Sequence, residues 1–219
     1  MPSFLMLFVF SPSPHETSSS SYHGRYATIS LMKRWLNRPL RILLINDTLV
    51  WIAASMIVPI YAVFVDDIGG DILDAGLAAS IFALVAGVVV LIMGKISDRI
   101  KRLSRVVGIG YLLNGTGFVL YIFVENVWQL FAVQALIGLA QASVAPAFDA
   151  LYTKNIGDPR KASSRWSMWE AGYYFAIAIG SAAGAAIVKF ASFDTLFVLM
   201  ACLCYGSGLY ILSRPKRVL

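Results

Sequence analysis

A few charged side chains stand where an otherwise apolar chain would exclude them. Asp98, Arg99 and Arg102 lie within nine residues, 94–102, that separate two long apolar runs. Asp98 and Arg102 are four apart, the spacing at which a carboxylate and a guanidinium meet on one helix face. Asp47, Asp149 and Glu170 each fall inside an apolar run, within a turn or two of the end nearer the basic clusters. Such groups can pair with one another or bind a proton or a cation. Covalent chemistry has less to work with. The two histidines, His15 and His23, precede every apolar run long enough to span a membrane, so those runs hold no imidazole for general-base or metal work. No metal site, no cofactor and no enzyme activity are expected.

The elements that must position these groups are membrane spans. The chain is 58% apolar and 14% charged, where a soluble domain carries about 25% charge. Its apolar residues come in runs near the ~20 residues that cross a bilayer core as helix. Six are expected, over 42–65, 72–93, 106–124, 127–151, 166–190 and 193–212. The fold class is therefore all-α integral membrane. The net charge of +6 points to topology rather than to nucleic acid. Lys33, Arg34, Arg38 and Arg41 precede span 1; Lys95, Arg99, Lys101, Arg102 and Arg105 separate spans 2 and 3. Lys154, Arg160, Lys161 and Arg165 separate spans 4 and 5, and Arg214, Lys216 and Arg217 follow span 6. Only Lys189 lies in the alternate loops. This bias predicts both termini in the cytoplasm of a plasma (inner) membrane.

The pattern G-x-x-x-D-R-x-x-R at Gly94, Asp98, Arg99 and Arg102 resembles the loop between helices 2 and 3 of the major facilitator superfamily, roughly G-x-L-A-D-R-x-G-R-R. Lys101 stands where that family has its second glycine. The resemblance covers about residues 32–219 and implies the N-terminal six-helix half of a secondary transporter, built as two three-helix inverted repeats. It also implies that Asp98 and Arg102 form a conformational relay with an acid at the inner end of span 4, which here is Asp149. No sequence echo links spans 1–3 with spans 4–6. The implied activity is movement of a small-molecule solute by alternating access, with a second six-helix half, as a separate chain or a second copy, as partner beside membrane lipid.

Span by span, the polar residues divide into pathway and packing candidates. Asn46 and Asp47 lie near the start of span 1, and Pro59 predicts a kink in its outer half. Two roles are open to Asp47: an ion or substrate site, or a partner for a nearby cation or water. Span 3 carries Asn114 among glycines, which suits an interhelical hydrogen bond or a substrate contact. In span 4, Gln134, Gly138, Gln141, Ala145 and Asp149 recur at intervals of three or four, one polar, small-residue face that lipid would not receive. The family's arginine four residues before this glycine is absent, so proton coupling by that route is not implied. Glu170 in span 5 either binds a cation or pairs with Arg165 or Arg160. Gly172, Ala176, Gly180 and Gly184 follow at strict i+4 spacing, a ridge for close helix packing. Residues 180–185 resemble the end of the family's antiporter motif without its proline and last glycine. No ionisable group falls at mid-depth, so the pocket lining expected from this chain is neutral and polar: Asn114, Gln134, Gln141 and Ser55.

The remaining segments carry less. Asp66, Asp67, Asp71 and Asp74 form an acidic external turn without the spacing of a calcium loop. Cys202 and Cys204, two apart on one helix, read as apolar filler. Residues 1–31 read as a disordered extension or a mis-assigned start, with Met32 the natural beginning, and residues 214–219 as a basic tail. A rhomboid-type protease lacks its membrane histidine here, and an ABC permease its long coupling segment. A non-transporting assembly or scaffold protein, or an inactive relic, is the alternative function.

Overall fold

The computed structural model describes residues 36–215. Residues 1–31, Met32, and the tail beyond position 215 lie outside the described residues, and so do the expectations placed on them. The described chain is helical, and six helices are long and apolar enough to cross a membrane. Span 1 comes in two pieces, Arg38–Met56 and Tyr61–Asp67, joined by the 3-10 turn Val58–Ile60. Spans 2, 3 and 4 are Ile72–Ser97, Leu103–Tyr121 and Val127–Asn155. Span 5 is Ala162–Phe190, entered through the 3-10 turn Pro159–Lys161, and span 6 is Phe193–Leu212.

Side chains close the helix starts. Asn37 accepts the Leu40 amide, Asn126 the Gln129 amide, and Ser192 the Thr195 amide, which supplies partners to donors that a helix start leaves free. Two of the external acids share this task. Asp71 accepts from the amides of Leu73 and Asp74, while the Asp74 carboxylate accepts from the Asp71 amide, a reciprocal capping box. Gly69, at φ 80°, makes the preceding turn, a conformation that suits a residue without Cβ.

The break in span 1 has a local cause. Pro59 has no amide hydrogen, and its ring crowds the carbonyl one turn back. That carbonyl belongs to Ser55, and it accepts the Ser181 hydroxyl of span 5 at 3.4 Å. The Ser55 carbonyl thus has a donor from a neighbouring helix besides the Ile57 amide of its own span, which is how membrane helices tolerate proline. Pro146 lies inside span 4, yet that helix runs through it unbroken.

Five helix pairs dominate the packing: 1 with 5, 1 with 6, 2 with 4, 3 with 4, and 3 with 6. Exchanging span 1 with 4, 2 with 5 and 3 with 6 maps this set onto itself. Spans 1 and 4 run in opposite directions, since successive helices alternate across short loops, so the two three-helix units are related as an inverted repeat. Burial is uneven. Of the apolar windows, 6% is buried in span 2 and 17% in span 5, against 44–50% in the other four. Spans 2 and 5 correspond under the exchange, and each presents a broad face that no described helix covers.

Candidate functional site

The best-defined polar site is built on Asp47. It lies on span 1 and is 6% exposed. Tyr111 of span 3 donates its hydroxyl to Asp47 Oδ1 at 2.7 Å. Trp169 of span 5 donates its indole N–H to Oδ2, also at 2.7 Å. Trp51, one turn along span 1, interacts with the same carboxylate. All these donors are neutral. The further charge that bears on Asp47 is a second carboxylate, Asp149, which repels it. A carboxylate in a span is costly unless its oxygens are satisfied, and here three helices converge to satisfy them.

Aromatic rings extend the site along span 5. Trp166, Trp169 and Tyr173, at i, i+3 and i+7, share a face, and Trp169 stacks on Tyr173 with ring centroids 6.2 Å apart. Tyr173 meets Trp51 edge-on at 4.7 Å, and Trp166 packs on the fully buried Tyr152 at 4.7 Å. Span 5 approaches span 1 just beyond. A Cβ added to Gly180 would lie 2.5 Å from the Ile52 carbonyl oxygen, and one added to Gly184 would lie 2.0 Å from that of Met56. Ala176 is fully buried, and its carbonyl accepts the Ser55 hydroxyl at 3.1 Å. Gly172 faces Thr48, with 3.1 Å between an added Cβ and Oγ1. This i+4 ridge is the backbone-to-backbone contact that seats Trp169 against Asp47.

Other polar residues are spent elsewhere. Asn46 is buried and donates to the Ile42 carbonyl of its own helix at 2.8 Å. Gln134 donates to the Tyr61 hydroxyl at 2.6 Å, fastening span 4 to the outer piece of span 1. Ser55 is held between spans 1 and 5. Asn114 is 2% exposed, and its Oδ1 has no hydrogen-bond partner. Gln141 is half-buried on span 4, and Glu170 is exposed on span 5.

The structure places Asp98 just past the end of span 2 and Arg102 just before span 3. Asp98 and Arg99 are exposed, Arg102 and Gly94 are half-buried, and Asp149 is half-buried on span 4. Among the described residues no ion pair joins Asp98, Arg102 and Asp149 in this conformation. Tyr111, Trp169, Trp51 and Tyr173 are members of the site that sequence reasoning missed. The i, i+3, i+7 aromatic face of span 5 was the available signal, although it does not say which helix the face meets.

Among known proteins, the chain is 27% identical over 179 residues to the Multidrug resistance protein MdtG of Erwinia billingiae, covering 80% of this chain and 43% of that protein. It is 29% identical over 117 residues to MdtG of Serratia proteamaculans, covering 52% of this chain and 28% of that protein. To the Quinolone resistance protein NorB of Staphylococcus aureus it is 30% identical over 152 residues, covering 68% of this chain and 32% of that protein. The chain thus spans less than half the length of these relatives. Residues 43–218 match the Major Facilitator Superfamily. This multi-pass membrane protein belongs to that superfamily of transporters.

Proposed function

We propose that the chain is one half of a secondary transporter that expels small solutes by alternating access. The uneven burial carries this reading. Spans 2 and 5 are largely uncovered while the other four spans are packed, and the relatives are more than twice as long as the stretch they share with this chain. A second six-helix half, as a separate chain or a second copy, docks along those two spans. Span 2 carries a reason to accept one: an added Cβ at Gly76, Gly87 or Gly94 meets nothing within 4 Å. These positions recur at intervals of eleven and seven and so form one line along the helix, open to the close approach that small residues permit.

The solute path lies between the halves, with Asp47 as its ion-binding carboxylate, Asn114 and Gln141 as neutral polar contributors, and Glu170 at the mouth. Protonation of Asp47 removes the charge that strengthens its bonds to Tyr111 and Trp169, and so loosens span 1 from spans 3 and 5. Asp98, Arg102 and Asp149 pair in the opposite state of the cycle and bias it. Both termini lie at the basic, cytoplasmic end. The names of the relatives suggest quinolones and other drugs as first solutes to try.

The test is efflux of norfloxacin and ethidium from cells expressing the chain with its second half, against the Asp98→Asn and Asp47→Asn variants at matched expression. Faster efflux, slowed by either variant, is expected. No flux of any solute from a folded, partnered protein would leave an assembly role as the surviving reading.

A further inference from the structure

Span 2 ends at the basic end of the bundle in an open groove of about 470 Å³, lined by Leu91, Ile92, Lys95, Ile96, Arg99 and Ile100. Leu91 is 74% exposed, Ile92 52% and Ile96 43%. Exposed aliphatic side chains on a membrane span need no explanation by themselves. Two cations set among them give the surface a charge that bare topology does not require to be paired with apolar walls. Lys95 and Arg99 stand one turn apart, both exposed, and neither forms an ion pair among the described residues.

The order along the helix matches an amphiphile. Leu91 and Ile92 lie deepest, Lys95 and Ile96 follow, and Arg99 and Ile100 close the groove at the membrane surface. From Leu91 to Ser97, where the helix ends, is about 9 Å at 1.5 Å per residue, and Arg99 follows in the turn beyond. At 100° per residue, the groove is centred roughly 130° around the helix from the line of Gly76, Gly87 and Gly94. A partner seated on the glycines borders Leu91, four residues from Gly87, and leaves Ile92, Lys95 and Ile96 to lipid.

We propose that the groove binds an anionic phospholipid from the leaflet at the basic end. Acyl carbon lies against Leu91, Ile92, Ile96 and Ile100, and the phosphate sits between Lys95 and Arg99. Hydrocarbon depth, apolar walls and paired cations at the surface are complementary to that molecule in sequence as well as in charge. Zwitterionic lipid fits the walls but not the charge, and a free phosphate fits the charge but not the walls.

The experiment is native mass spectrometry of the full chain in neutral detergent, titrated with phosphatidylglycerol, phosphatidylcholine and glycerol 3-phosphate. Phosphatidylglycerol should be retained in preference to phosphatidylcholine, and glycerol 3-phosphate should not compete with it. Lys95→Gln with Arg99→Gln should weaken phosphatidylglycerol binding about 25-fold, at about fivefold per cation near a membrane surface. Lys154→Gln with Arg160→Gln, which removes the same charge from exposed positions in the other basic loop, should leave it unchanged. Ile96→Asn keeps both cations and should weaken retention several-fold. Equal retention of the two lipids, equal losses in the two double variants, effective competition by glycerol 3-phosphate, or an unaffected Ile96→Asn would each overturn the proposal.

Discussion

Trp169 and Asp47, 122 positions apart, are joined by an indole N–H to carboxylate hydrogen bond of 2.7 Å. Tyr111 holds the other oxygen at the same distance. Removing one donor from a buried carboxylate leaves an acceptor unmet, at a cost of about 1–3 kcal/mol. Trp169→Phe and Tyr111→Phe should each lower the melting temperature of the purified chain. Each should cost less in an Asp47→Asn background, where the charge that strengthens the bond is gone. Thermal unfolding of the four-member cycle checks this, and full additivity would mean that the bonds contribute nothing jointly.

The relay makes a different prediction. Asp98→Asn and Asp149→Asn should each slow efflux, and together they should cost less than the sum of both because they share Arg102. The rates are to be compared at matched surface expression. Additive losses would place the two acids in separate roles.

Seated and open glycines should answer differently to added bulk. Gly184→Leu and Gly180→Leu drive side chains into the span 1 backbone and should sharply reduce the yield of folded chain. Gly87→Leu meets open space within the chain and should leave that yield unchanged while weakening capture of the second half. Yield by size-exclusion chromatography and co-purification with a tagged second half separate the two effects.

Residues 1–31 should be dispensable for insertion. A chain started at Met32 is expected to reach the membrane in the same amount and topology, read by cysteine accessibility at the loop positions. Loss of insertion would show that the segment directs it.

The fold was legible because each span is an apolar run of sufficient length and the basic residues gather in alternate loops. Those signals are local. So is the cause of the break in span 1, a proline in a helix. The contacts of Asp47 are of another kind. Nothing in the spacing of span 1 indicates that Tyr111 and Trp169 will meet it, because hydrophobic periodicity marks a buried face without naming the helix that buries it. Glycine spacing has the same limit. Gly180 and Gly184 sit against another backbone whereas Gly76 and Gly87 face open space, and the sequence around them does not tell the two cases apart. Gln134 and Ser55 show the converse: polar residues expected to line a pocket are used to fasten spans together.

Span 1 is anchored on both sides of its break, and span 3 touches both pieces, through Tyr111 at Asp47 and Tyr121 at Phe64. Its inner piece is held to spans 3 and 5 through Asp47, its outer piece to span 4 through Tyr61 and Gln134, and Pro59 lies between. A continuous helix held in this way would act as a rigid strut, and twisting one anchorage would load the other. The joint at Pro59 instead confines any change of angle to the 3-10 turn between the two pieces. Span 1 can therefore bend at one place without either of its side-chain anchorages having to part.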